Sequence, residues 1–205
     1  MTRKRARFPT LLLPSILLLS QCGSPATQVF DLSPAGEASP APSQRSEAGP
    51  LIYVDKPTVA GYFDRTQMVT RTGDNRVSIH EFEVWSDPPA DLIARALVDD
   101  LARRFGADRV MTTPVEHYAK PAWRVEVDVL RFDVDAAGQA VVDARWTLLA
   151  GPNDRLAATR REQIETPAGD AADPKQRVTA LRAAVAILAT RIGDAIASGG
   201  ARSRT

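Results

Sequence analysis

Residues 123–129 read Trp123-Arg124-Val125-Glu126-Val127-Asp128-Val129, large apolar and charged side chains taking turns one for one. That period of two is a strand with one face on a core and one in water. After a turn around Ala136-Ala137-Gly138, the pattern returns as Val142, Ala144, Trp146 and Leu148. Gly151-Pro152-Asn153-Asp154 makes the next turn, and Ala157–Thr166 follows as a more polar strand suited to a sheet edge. Arg160 and Arg161 would discourage that edge from pairing with other chains.

Upstream the same punctuation appears. Leu51–Val54 reads as a strand stopped by Lys56-Pro57, and Gln67–Arg71 and Arg76–His80 flank the turn residues Thr72-Gly73-Asp74-Asn75, a hairpin. Asp87-Pro88-Pro89 opens a helix, with Asp87 expected at the cap. Its stripe of Ile93, Leu97, Leu101 and Phe105, with Ala94 and Val98 beside it, ends at Gly106. A second helix starts at Asp173-Pro174. It carries Val178, Leu181, Val185, Leu188, Ile192 and Ile196 at steps of three and four, and Gly199-Gly200 is expected to end it. Hairpins without steady βα alternation predict an α+β domain in two layers, a mixed or antiparallel sheet of about six strands with two main helices.

The first fifty residues are of another kind. Arg3, Lys4, Arg5 and Arg7 precede the apolar run Leu11–Leu19, the layout of a secretory signal over residues 1–21. Pro14 interrupts that run, which is shorter than the roughly 20 residues of a spanning helix. The chain's one Cys follows, in Leu19-Ser20-Gln21-Cys22-Gly23. This resembles a bacterial lipobox, which implies acylation of Cys22, although Gln21 stands where the pattern has a small residue. The alternative is a secreted soluble chain in which Cys22 is incidental. Residues 22–50 then hold a short strand, Val29-Phe30-Asp31-Leu32, and a segment 33–49 rich in Pro, Ala, Ser and Gly. With no large apolar residue, that segment reads as a flexible linker giving the domain its reach. The expected boundaries are therefore a domain over 51–198, able to fold without the first fifty residues, and a disordered tail over 199–205.

Charge narrows the function classes. The chain has 26 basic and 25 acidic residues, but four of the basic ones lie in the signal. The mature chain thus carries 22 against 25, a net of −3, and nucleic acid is not an expected partner. A single Cys excludes a disulfide framework and a cysteine zinc site. There is no G-x-S-x-G elbow and no phosphate-cradling glycine loop, and His80 and His117 read as surface or half-buried side chains. Glu81 and Glu83, like Asp99 and Asp100, read as solvated faces. Asp133 and Asp135 lack the ligand series of a calcium loop. No enzyme, metal or cofactor is expected.

The block Tyr62-Phe63-Asp64-Arg65-Thr66-Gln67-Met68-Val69-Thr70-Arg71, then Asn75-Arg76-Val77, then Phe82-Glu83-Val84-Trp85-Ser86-Asp87-Pro88 resembles the ABC-type transport auxiliary lipoproteins, the PqiC-like family. In that family R-x-Q-[IVM]-V-x-R on a strand precedes a turn and a W-[AS]-x-P approach to a helix. The resemblance implies a lipoprotein on the periplasmic face of the outer membrane, Gly23 rather than Asp after the Cys agreeing with that address. It further implies partnership with MCE-domain proteins and ABC-type components that move apolar molecules between membranes, with homo-oligomerisation open. An activator of a peptidoglycan or envelope-assembly enzyme could use the same tether. Arg65, Gln67, Arg71, Arg76 and Trp85 are the expected partner-binding residues. On an extended segment Arg65, Gln67 and Arg71 share one face, where planar guanidinium groups could grip carboxylates; pairing with Glu81 or Glu83 across the hairpin is the alternative.

Overall fold

The computed structural model describes residues 25–33, 49–73, 75–112 and 120–202, the side chains of 200–202 excepted. The signal, Cys22, most of the linker and His117 lie outside the described residues. Among the described residues, nine strands and two α-helices form an α+β fold: β1 Gln28–Phe30, β2 Ile52–Val54, β3 Thr58–Val59, β4 Gln67–Thr72, β5 Arg76–Trp85, α1 Pro89–Phe105, β6 Val110–Met111, β7 Trp123–Val134, β8 Gln139–Ala150, β9 Arg155–Pro167 and α2 Pro174–Arg202.

The sheet is mixed and is organised by β7. One edge of β7 pairs antiparallel with β8, which pairs with β9 at the polar edge anticipated from Arg160 and Arg161. Its other edge is shared in succession by three short parallel strands: β2 at Trp123–Val125, β3 at Asp128–Val129, and β4 at Val134. Beyond β4 lie β5, antiparallel, and β1, parallel. About six strands therefore stand side by side, as expected.

The alternation in β7 changes parity midway. Trp123, Val125, Val127 and Val129 are buried, but so are Phe132 and Val134, because the ladder shifts between Val129 and Arg131. Such a bulge lets an even-numbered residue take the core side while increasing local twist. A wider irregularity marks β5: Gln67 faces Val84 but Met68 faces His80, leaving Glu81–Glu83 without counterparts on β4.

Both helices cover one face of the sheet. Ile93, Leu97 and Leu101 of α1 and Leu181, Val185, Leu188, Ile192 and Ile196 of α2 are sealed in the core, fulfilling both stripes. The helices are clamped to each other by Asp100, which takes two hydrogen bonds from Arg182 at 2.7 and 2.6 Å and also pairs with Arg103. Asp100 is thus an interhelical partner and not a solvated charge. At the helix starts, Asp173 accepts the Lys175 N–H at 2.9 Å and caps α2, whereas Asp87 makes no cap bond and pairs with Arg95 at 2.6 Å.

Two boundaries differ from the sequence reading. First, α2 runs through Gly199-Gly200 to Arg202, so residues 199–202 are helix and not tail. Gly199 serves close approach: a Cβ there would lie 2.7 Å from the Trp123 indole. Second, the early strand belongs to the domain. β1 pairs with Glu83–Trp85, the Ser86 N–H donates to the Phe30 carbonyl at 2.7 Å, and Leu32 is 1 % exposed in the core. The Asp31 carboxylate accepts the Ser86 hydroxyl at 2.7 Å; these bonds and nearby Arg95 outweigh its partial burial and hold its pKa below the usual value.

Leu32→Ala in the full chain is accordingly expected to cost about 2–5 kcal/mol in urea unfolding. A fragment starting at Gly49 should lose at least as much, while an unchanged midpoint for both would show that β1 is dispensable. Gly199→Ala should lower stability by about 1–3 kcal/mol through overpacking on Trp123, against the gain of about 1 kcal/mol that helix propensity alone gives.

Candidate functional site

Sequence directed attention to β4 and its surroundings, and the structure divides those residues between an inner and an outer role. Arg65 lies before β4, not on it, its N–H bonded to the Phe63 carbonyl at 2.8 Å. Its side chain is half-buried, with a buried Nε that meets no acceptor among the described residues. Gln67 opens β4, half-buried, beside a narrow crevice lined by Phe63, Met68, Trp85, Phe132 and Arg177. Arg76 stands exposed where the hairpin returns. Trp85 is only 5 % exposed, its indole 5.8 Å from the Phe132 ring, so any part it plays in docking is indirect. Cys22 falls outside the described residues.

Arg71 is committed within the domain, though not to Glu81 or Glu83. Its Nε donates to Asp133 Oδ2 at 3.3 Å, and its guanidinium lies 5.2 Å over the Tyr62 ring. Asp133 has no exposure. It also accepts the Tyr62 hydroxyl at 2.7 Å and Arg131 Nε at 2.9 Å, three donors from three segments on one carboxylate. The Tyr62 oxygen in turn accepts the Phe132 N–H at 3.3 Å, a backbone group at the bulge of β7. A buried carboxylate is tolerated only with such pairing. Burial, followed by the bond and charge of Asp133, pushes the Tyr62 pKa up to about 12.

The charged ladder continues across the sheet, since Arg131 faces Asp143, which accepts Arg161 in a bidentate pair at 3.0 and 2.7 Å. None of this set was singled out for a site in the sequence except Arg71. The signal present was Asp133 and Asp135 in alternation with Arg131. Asp135 turns out to accept the Ala137 and Gln139 N–H groups, both at 2.9 Å, and so shapes the β7–β8 turn.

A second set joins the β5 irregularity to α2. Glu83 pairs with Arg177, itself 4 % exposed, and with His80 Nδ1 at 3.2 Å, while His80 Nε2 meets the Thr70 hydroxyl at 2.9 Å. Desolvation lowers the His80 pKa, with Glu83 and Arg177 pulling in opposite directions. The second set thus lines up a hydroxyl, an imidazole and a carboxylate, the connectivity of a nucleophile, its base and an orienter, with all three side chains half-buried and Glu83 shared with Arg177. Among the described residues no three or more His, Cys, Asp or Glu side chains are grouped to hold a metal. Two further grooves are open and bounded by charged side chains, one by Asp55, Glu126, Asp128 and Arg145, the other by Arg160, Glu162, Arg191 and Asp194.

The Tyr62 bond to Asp133 has a pH signature. Because the folded pKa is raised above the unfolded value of 10.0, its contribution is complete below pH 10 and is lost as pH rises towards about 12. Ultraviolet titration should show one of the three tyrosines ionising late, and Asp133→Asn should bring it down. Simultaneous titration of all three near pH 10 would show that Tyr62 is not held in this way.

The family model for the ABC-type transport auxiliary lipoprotein component matches residues 30–193. No curated protein matches the chain. Among solved structures, protein XCC0632 from Xanthomonas campestris superposes with a TM-score of 0.67 at 19 % identity, covering 87 % of this chain and 100 % of its own. An uncharacterized protein superposes with the same score at 18 % identity, over 84 % of this chain and 99 % of the other. These two likenesses establish the fold. The family match begins at Phe30, the last residue of β1, and ends within α2, so it takes in all but the first two residues of β1 and the last nine of α2. The chain belongs to the ABC-type transport auxiliary lipoprotein family.

Proposed function

We propose that this protein is a non-enzymatic, lipid-anchored accessory subunit on the periplasmic face of the outer membrane. It docks an MCE-domain or ABC-type component of a system that carries lipids or other apolar molecules between the membranes. The observation that carries this reading is the family match over residues 30–193, nearly all of the folded unit. Supporting it are the signal layout, Cys22 at its end and Gly23 after it. No helix among the described residues is long and apolar enough to cross a membrane; in this reading acyl chains on Cys22 provide the membrane attachment. Several chains at about 0.8 kcal/mol per buried CH₂ hold a protein stably where one does not.

Arg65 and Gln67 are the residues of the original set best placed to meet the partner. They stand at and just before the start of β4, away from the hairpin, and both side chains are half-buried. Arg71 and Trp85 support this surface from beneath, through Asp133 and Phe132. A guanidinium fork offered to a carboxylate on the partner is the chemistry this surface provides.

Two measurements test the reading. Cys22→Ala should move the protein from the membrane fraction to the soluble periplasm, and the wild-type N-terminus should carry the mass of acyl chains. Membrane retention of the variant without lipid mass on the wild type would contradict anchoring. Arg65→Ala should fold normally and lose co-purification with MCE or ABC-type components from intact envelopes; wild-type recovery would remove Arg65 from the contact.

A further inference from the structure

Four of the six exposed large apolar side chains among the described residues lie on two neighbouring strands. They are Val29 of β1 at 65 % exposure and Val77, Ile79 and Phe82 of β5 at 37, 46 and 40 %. Apolar residues scattered singly need no explanation, but a strip confined to one edge does. The backbone beside it is open as well: β1 pairs only with Glu83–Trp85, and no strand among the described residues lies along Arg76–Phe82 on that side.

The direction of β1 says what the strip meets. β1 is parallel to β5, with Gln28 opposite Glu83. The direction of β1, extended backwards from Gln28, therefore points along β5 towards Phe82, Ile79 and Val77, the hairpin end. Cys22 stands six residues before Gln28, a span of about 20 Å at full extension. The linker 33–49 adds nothing to this distance, because it follows β1 and does not precede it.

We propose that the β1–β5 edge, through Val29, Val77, Ile79 and Phe82, rests on the lipid surface that holds the acyl chains of Cys22. The inference deepens the anchored reading above and rests on it. Within so short a tether the bilayer is the surface always present beside this edge. Shallow insertion of apolar side chains among headgroups is favourable, and it adds to the anchor. The unpaired N–H and C=O groups of β5 stay within reach of water and headgroups at that depth, so no second strand is required to satisfy them. The hairpin end then faces the membrane, and the start of β4, with Arg65 and Gln67, faces the periplasm.

The test uses the mature acylated protein in vesicles of phosphatidylethanolamine and phosphatidylglycerol. With Cys22 blocked by its thioether, Ile79→Cys, Phe82→Cys and Leu156→Cys each give one reactive thiol for a fluorophore. Leu156 is 62 % exposed on β9, at the far edge of the sheet, and is the control. Lipids with brominated acyl chains should quench the labels at 79 and 82 several-fold more than the label at 156. Equal quenching at all three overturns the inference while leaving anchoring intact. Shielding of 79 and 82 from aqueous iodide without quenching by bromine also overturns it, and assigns the strip to a second protein or a second copy. Failure of the wild-type protein to float with vesicles contradicts the anchor itself, and this inference with it.

Discussion

A carboxylate with no exposure to water, Asp133, accepts hydrogen bonds from Tyr62, Arg71 and Arg131, and the half of the sheet around β4 and β5 depends on it. Its position is created by the bulge of β7, which turns Phe132 and Val134 to the core and leaves Asp133 on the other side. Tyr62 belongs to the loop between β3 and β4, and Arg71 to β4. The backbone pairing of β4 with β7 is a single position, Thr70 opposite Val134, and Met68 and Val69 share the core with Phe132 and Val134. A buried charge deprived of one partner costs about 3–5 kcal/mol, so this network holds β4, and through it β5 and β1, against the central strand.

That arrangement bears on how the anchored protein sits in the envelope. β1 ties the chain into the sheet six residues after Cys22, so a lipid on Cys22, as proposed, would act on the edge that β1 forms. The long Pro- and Ala-rich segment lies between β1 and β2 and is an internal connection. Under the anchoring proposed at Cys22, the domain is held close to the bilayer and in a defined orientation, in place of the free swing expected of a 17-residue tether. For an accessory subunit of a transport system, a fixed orientation keeps one end of β4 available to a partner without the entropy cost of searching.

The sequence displayed regular periodicity and concealed its interruptions. The alternation at 123–129 and 142–148, the stripes of both helices and the turn residues 72–75 and 138 were legible because each side chain obeys one period. The bulge after Val129 was not, since a single inserted residue leaves composition unchanged while reversing which face is buried. The same holds for Glu81–Glu83, whose displacement from the β4 ladder sends Glu83 to Arg177, 94 residues away. Leu32 was separated from the core by a polar segment and so looked peripheral. Gly199 carried the composition of a helix stop, and only the proximity of Trp123 shows its other use. Of the site residues, the sequence located the right strand but not the division of labour, because Arg71 and Arg65 are indistinguishable until Asp133 is placed.

The central claim, that Arg71 is part of the architecture and not of a docking surface, is tested most directly by a double-mutant cycle in urea with Arg71→Met and Asp133→Asn. The account predicts a coupling energy of about 1–3 kcal/mol, with both single variants destabilised. Additivity within about 0.5 kcal/mol, with Arg71→Met as stable as wild type, would contradict it and return Arg71 to the surface.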